Sequence, residues 1–92
     1  MDSYPVEIRL ECLRPYDEIW KPPTGVEVRE LLRRSSLSAA AAAQFLGLGL
    51  GGDRTVRRWI SGHPKTGVSS ISYAAWALLC DKAGEGIIWR KE

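Results

Sequence analysis

The densest cluster of cationic side chains in this sequence comprises Arg54, Arg57 and Arg58, which fall within five positions, with Lys65 just beyond. A planar guanidinium donates paired hydrogen bonds to phosphate oxygens, or to O6 and N7 of a guanine. Side chains three and four positions apart lie on the same side of a helix, so a helix here would present all three arginines together. A local cluster of this kind is what a phosphate-binding face requires.

The other reactive side chains are too few and too scattered for catalysis or metal binding. Cys12 and Cys80 lack CxxC spacing, and the single histidine, His63, completes no zinc ligand set. We interpret the cysteines as buried free thiols and His63 as a loop residue without chemistry. No nucleophile–base pair with an orienting carboxylate is indicated, and Asp17 and Glu18 lie in a proline-flanked stretch where solvation explains them. The sequence predicts no enzyme, no catalytic residue, no metal and no cofactor.

Length and composition predict one small domain. The 92 residues are 45% hydrophobic and include four tryptophans, which is enough for a core. The net charge is only +2, but residues 1–23 hold three basic and five acidic groups, whereas residues 24–92 hold ten and six. No stretch approaches the roughly 20 apolar residues that span a bilayer, and the first residues lack the basic-then-apolar pattern of a secretion signal. We therefore expect a soluble, cytoplasmic protein without membrane contact.

The two ends of the chain show strand patterns. Apolar and charged residues alternate over residues 4–13, which predicts a half-exposed strand. Prolines make residues 14–23 a turn or extended linker. Residues 87–89 are apolar and flanked by charge, which predicts a last strand that pairs with residues 4–13 or with a second copy. Residues 1–23 are expected to pack on the same domain as residues 24–92.

Helical periodicity begins at Thr24, which can form a capping box with Glu27. The first predicted helix ends near Ser35 and has two faces. Its apolar face holds Val28, Leu31 and Leu32. Its polar face holds charged residues that we interpret as a salt-bridged exterior, namely Glu27, Arg29, Glu30, Arg33 and Arg34.

A second and a third helix follow across a glycine-rich turn. Ser38 can cap an alanine-rich helix that runs to Gly47, and small side chains permit a close approach of two helices. Residues 47–52 lack the GxxxxGK[ST] pattern of a phosphate loop. We expect Leu48 or Leu50 to enter the core from this turn. Either Asp53 or Gly52 is expected to cap the third helix, residues 54–61, whose inward side comprises Val56, Trp59 and Ile60.

A fourth helix is predicted to start at Ser69 or Ser70 and to run to Ala83. Its inward residues at helical spacing are Ile71, Ala74, Ala75, Leu78 and Leu79. Trp59 and Trp76 are interpreted as core residues. The location of Trp20 and Trp89 is left open, and a dimer interface is one alternative.

Three segments together resemble one known family: VEVRELLRRSSLSAAAAAQFLGL, DRTVRRWISG and SISYAAWALLCDKAG. Their order and spacing are similar to those of the Cro/repressor, or Xre-type, helix-turn-helix proteins. The matching positions are Leu37-Ser38, Ala43, Leu46-Gly47, Thr55-Val56, Trp59, Gly62 and Leu78. The resemblance covers residues 24–84 and implies a mostly α domain of four or five helices, to which the terminal strands add a short β element. The turn at residues 48–52 is longer than is usual in that family.

The resemblance implies a sequence-specific transcriptional regulator and favours a repressor. Residues 54–61 of this regulator would lie in the major groove of double-stranded DNA. The implied base-reading positions are Asp53, Arg54, Arg57 and Arg58; a helix cap is the alternative role for Asp53, and a phosphate contact is the alternative for Arg58. The implied phosphate contacts are Ser38, Thr55, Lys65 and Thr66. A homodimer on a palindromic operator, a nucleoid-associated location and a mobile-element context are further implications. The alternative is a protein-interaction module, such as an antitoxin or adaptor, with a protein partner; three outward arginines favour DNA.

Overall fold

The computed structural model describes residues 6–90 and is mostly helical, as predicted. Its four α-helices pack α2 against α3, α3 against α1 and α1 against α4. No helix in this part of the chain is long and apolar enough to cross a membrane. A 3-10 turn, Leu10–Cys12, precedes the helices, which are α1 (Gly25–Ser35), α2 (Ala39–Leu46), α3 (Gly52–Ser61) and α4 (Tyr73–Lys82).

The starts of α1 and α2 are capped as predicted. The Glu27 amide donates to Thr24 Oγ1 at 3.2 Å, and the Thr24 amide donates to Glu27 Oε1 at 2.8 Å, which completes the capping box. Ser38 Oγ accepts from the Ala41 amide at 3.0 Å. These hydroxyls satisfy helix amides that have no partner within the helix.

The starts of α3 and α4 differ from the prediction. Gly51, with φ of 77°, precedes α3 without a side-chain cap, so Asp53 lies inside the first turn. Helix α4 is capped by Ser72, whose Oγ accepts from the Ala75 amide at 3.2 Å. The earlier start predicted at Ser69 or Ser70 was wrong because the Ser69 hydroxyl is buried and accepts from the Ile71 amide at 3.2 Å, which forms a separate turn.

Neither terminal strand is formed among the described residues. Residues 6–9 are irregular and lead into the 3-10 turn, residues 87–89 form a turn, and residues 4 and 5 lie outside the described range. An isolated bridge joins Thr24 to Val68. The alternation predicted for a strand is replaced by burial of Ile8 and Cys12, four positions apart. The intervening Arg9 amide donates to the Glu27 side chain rather than to a neighbouring strand.

The core is built around Trp76, which is fully buried together with Leu31 and Leu79. Both cysteines are free and buried, as predicted, and burial raises the pKa of Cys12 to about 11 and that of Cys80 to about 12. These thiols therefore stay protonated and act as small apolar core residues.

Two indoles connect the N-terminal segment to the helices. Trp76 Nε1 and Trp20 Nε1 both donate to the Cys12 carbonyl oxygen, at 2.7 and 3.0 Å. The Trp20 ring also packs edge-on against Tyr73, with ring centroids 5.2 Å apart. On the far side of α4, Ala74 and Leu78 are exposed, contrary to the predicted inward set, because Trp76, Ala77, Leu79 and Cys80 form the buried face instead.

Candidate nucleic-acid interface

Helix α3 has one buried side and one basic side. Val56 and Trp59 are buried in the core, with Ile60 half-buried beside them. The guanidinium-bearing positions Arg54, Arg57 and Arg58 are all exposed. The inward and outward positions agree with the period of the sequence, since 3.6 residues per turn separate the two sets.

The basic side of α3 carries one acidic neighbour. Asp53 Oδ2 lies 3.2 Å from Arg57 Nη1, one helical turn away. Within residues 6–90, no carboxylate lies within 4.0 Å of the Arg54 or Arg58 guanidinium. Residues 52–66 hold four basic groups and this single acid, so the surface formed by α3 and the following loop is strongly positive. Such a surface attracts polyanions.

A short ordered loop continues the basic surface beyond α3. His63 Nδ1 accepts from the Lys65 amide at 3.0 Å and from the Thr66 amide at 3.4 Å. The His63 carbonyl accepts from the Gly67 amide at 2.8 Å, which closes the loop. Arg58, His63 and Thr66 line one shallow depression. The fold therefore brings predicted base-reading and phosphate-contact residues together at this end of α3.

His63 is a residue whose contribution the sequence analysis missed. Its position in a loop is confirmed. Its ring nitrogen, however, accepts hydrogen bonds from the backbone amides of Lys65 and Thr66. The signal available in the sequence was a side-chain acceptor placed two residues before the first of these amides, with a proline between, as in turns built by aspartate or asparagine.

Two glycines hold this loop against the start of α1. A Cβ on Gly25 would collide with the Ile60 carbonyl oxygen, and a Cβ on Gly62 would lie 2.5 Å from the Gly67 carbonyl oxygen. Gly62 also has a φ of 71°. The Gly25 amide donates to the Gly67 carbonyl at 2.9 Å. Backbone-to-backbone contact at these positions fixes the loop relative to α3.

The turn between α2 and α3 contains two leucines that differ in burial. Leu48 is half-buried against the core, whereas Leu50 is fully exposed, so only the first of the two predicted core candidates fits. A Cβ on Gly52 would lie 2.8 Å from Ala43 Cβ and 2.7 Å from Leu48 Cβ. The small residues at 43 and 52 therefore permit α2 and α3 to approach closely, as the alanine-rich sequence predicts.

The side chain of Ser38, another of the predicted phosphate contacts, is already engaged in a hydrogen bond. It is exposed at the start of α2, and its hydroxyl already serves as the helix cap. Among the hydrogen bonds of residues 6–90, none joins Ser38 to the α3 arginines. Thr55 is half-buried near the start of α3, between Arg54 and the core residue Val56.

The charged residues of α1 form a second cluster. Two of them do not lie on the exterior that the sequence predicted. Glu27 and Glu30 are buried rather than exposed. Burial by itself raises the pKa of Glu27, but hydrogen bonds from the Arg9 side chain and amide and from the Thr24 amide hold this pKa down to about 2. Hydrogen bonds from Arg33 and then Arg34 lower the pKa of Glu30 to about 2.

The chain is similar over nearly its whole length to curated proteins described as transcriptional repressors. One, the transcriptional repressor protein KorC from Escherichia coli, is 55% identical over 85 residues, which cover 92% of this chain and 93% of the relative. A second Escherichia coli protein with the same description is 54% identical over 84 residues, covering 91% and 92%. The class of protein is therefore that of transcriptional repressors.

At this identity and coverage, the chain belongs to the KorC family. No protein-family model matches the chain, and no solved structure matches it. The likeness to the Cro/repressor helix-turn-helix proteins thus stays a prediction from the residues.

Proposed function

We propose that this chain represses transcription by binding a specific DNA site through a helix-turn-helix of the Cro/repressor kind, with α3 in the major groove. The observation that carries the proposal is the α3 surface, where Arg54, Arg57 and Arg58 are exposed opposite a tryptophan-anchored core. The repressor names of the KorC relatives supply the biological context.

The arrangement of α2, the glycine turn and α3 supports this proposal. Helices α2 and α3 pack closely, because Gly52 meets Ala43 without side-chain bulk, and the buried Trp59 anchors the inner side of α3. A rigidly anchored short helix with outward arginines is what major-groove reading needs, since bases are read by side chains held at fixed positions.

The residues around α3 supply phosphate contacts in this proposal. Lys65 and Thr66 are exposed in the loop that His63 orders, and Arg58 borders the same depression as Thr66. The exposed amino end of α2 at Ser38 offers backbone amides to a second phosphate. Arg54, Arg57 and Asp53 lie nearer the start of α3, where base edges are met.

A homodimer on a palindromic operator completes the proposal. One short helix reads too few base pairs to compete with non-specific genomic sites, and a two-fold pair doubles the reading. The exposed apolar groove lined by Tyr73, Ala74, Ala77, Leu78 and Trp89 is available for this pairing. In this proposal residues 6–23 belong to the same folding unit as the four helices, because Ile8 and Cys12 lie in the shared core.

The test is selection of bound sequences from a randomised duplex pool, followed by affinity measurements at several salt concentrations. The wild type should enrich a palindrome, and Arg54→Ala/Arg57→Ala should lose about 100-fold or more in affinity for it, since each bidentate contact discriminates by about 1–3 kcal/mol. Lys21→Ala/Arg29→Ala removes the same charge from exposed positions outside α3 and should keep the preference. If the wild type enriches nothing, DNA reading is refuted and a protein partner becomes the explanation.

A further inference from the structure

We propose that Asp53 is a specificity-determining residue of the α3 surface, because its carboxylate orients the guanidinium of Arg57 for base reading. This inference rests on the proposed function. It replaces both roles suggested by the sequence for Asp53, a helix cap and a direct acceptor from a base. Asp53 acts instead through a second side chain, as a positioning residue.

The geometry of the pair supports this role. Asp53 Oδ2 and Arg57 Nη1 lie 3.2 Å apart across one turn of α3. A guanidinium has five N–H donors in a fixed plane, so the engagement of one terminal nitrogen leaves the rest of the fork available. Recognition of a guanine needs two of these donors aligned with O6 and N7. A side chain already held in one orientation loses less conformational freedom on binding.

Roles in stability do not account for the pair. The Arg57 and Asp53 side chains are 68% and 41% exposed, and exposed ion pairs contribute little to folding. The cap of α3 is Gly51, so the carboxylate is not the helix cap, and its favourable interaction with the helix dipole in the first turn does not require Arg57. At the same time, a negative charge on a DNA-facing surface opposes phosphate binding. Asp53 therefore weakens non-specific attraction while it fixes the direction of Arg57, and both effects favour discrimination over affinity.

Arg54 and Arg58 provide an internal contrast. They lie on the same face as Arg57, yet no carboxylate within the described residues pairs with either guanidinium. Their donors are free to follow phosphate oxygens or bases as the complex forms. Arg57 alone of the three has an ion-pair partner before binding in this part of the chain.

The experiment measures base preference in Asp53→Asn by titrating the selected operator and duplexes altered at one base pair each. The base pair read by Arg57 is the one whose preference Arg57→Ala abolishes. At that pair, Asp53→Asn should lose about 3- to 10-fold of discrimination, a fraction of a bidentate contact, and its affinity for random DNA should rise. Asp81→Asn on α4 changes the net charge equally and should leave discrimination unaltered.

A charge effect and a positioning effect are separated by two further variants. In the Arg57→Ala background, Asp53→Asn should no longer change any base preference. With Arg57 intact, Asp53→Glu keeps the carboxylate and should retain most of the discrimination that Asp53→Asn loses. If Asp53→Asn keeps wild-type discrimination, or changes it equally without Arg57, Asp53 is not a positioning residue although the protein still reads DNA. A wild type that selects no sequence refutes the proposed function, and this inference with it.

Discussion

Helices α1 and α3 contain three arginines each, but two of those on α1 pair with a buried carboxylate, whereas none of those on α3 does so among the described residues. In α1, the buried Glu30 accepts from Arg33 at 2.8 Å and from Arg34 at 2.7 Å. Arg34 also bonds the Glu85 carboxylate at 2.8 Å and the Val6 carbonyl at 2.7 Å. The Arg34 guanidinium thereby joins the first helix to residues before and after the helices, at Val6 and Glu85.

In α3, the guanidiniums make no comparable tertiary contacts among the described residues. Arg57 reaches only the half-exposed Asp53 of its own helix. Arginine content therefore does not separate a helix with structural ion pairs from the helix proposed to bind DNA. What separates them is the burial of the acidic partner, because a buried carboxylate needs its cation whereas an exposed one does not.

The largest effect should come from acid, which protonates the buried carboxylates Glu27 and Glu30. The pKa values of Glu27 and Glu30 are about 2 in the folded chain, below the ordinary value of 4.5. Protonation therefore favours the unfolded state, so the stability that these groups contribute is complete above pH 4.5 and is lost as the pH falls toward 2. Urea unfolding between pH 7 and 2.5 should show this decline. A Glu30→Gln variant with an equally steep decline would contradict the assignment.

The next largest effect is expected for Glu27→Ala. Its carboxylate accepts from Arg9 and from the Thr24 amide, so the change leaves several donors unsatisfied and should cost about 2–4 kcal/mol of unfolding free energy. Glu7→Ala is the matched control, since Glu7 is exposed, and should change stability by less than about 0.5 kcal/mol. Denaturant midpoints of the two variants provide the measurement, and equal midpoints would show that the α1 cluster is not structural.

The sequence predicted the helices far better than it predicted the burial and the partners of the charged side chains. The capping residues Thr24 and Ser38 and the buried Trp76 follow from local patterns, because caps and apolar periodicity act over a few positions. Burial of Glu27 depends on Arg9, eighteen positions away in the chain, and no local pattern reports such a partner.

In the candidate site, too, some features follow from the sequence pattern and others do not. The outward direction of Arg54 and Arg58 follows from helical period, and their exposure agrees with it. The cap of α3 was misassigned because a left-handed glycine, Gly51, replaced a side-chain cap. The hydrogen bond from the Lys65 amide to His63 Nδ1 was missed although its signal is local, because a histidine in a loop was not considered as an acceptor for backbone amides. Which of these residues touch DNA stays a prediction.

A smaller effect should distinguish Arg34→Ala from Arg57→Ala, which are identical changes on the two helices. Arg34→Ala removes bonds to buried Glu30 and to Glu85 and should cost about 1–2 kcal/mol of unfolding free energy. Arg57→Ala should cost less than about 0.5 kcal/mol, since its partner is exposed. Operator affinity should change in the reverse order. Comparable losses of stability in both variants would remove the distinction between the helices.

The smallest effect is expected at Leu50, which extends the comparison from charged to apolar residues. Leu50 is fully exposed at the turn before α3, so Leu50→Gln should alter the unfolding free energy by less than about 0.5 kcal/mol. Leu48→Gln, two positions earlier, places an amide against the core and should cost about 1–2 kcal/mol. Thermal unfolding of both variants tests this difference. A Leu50 variant as unstable as the Leu48 variant would mean that Leu50 also packs on the core. In that case α3 would be held by more than its own buried side.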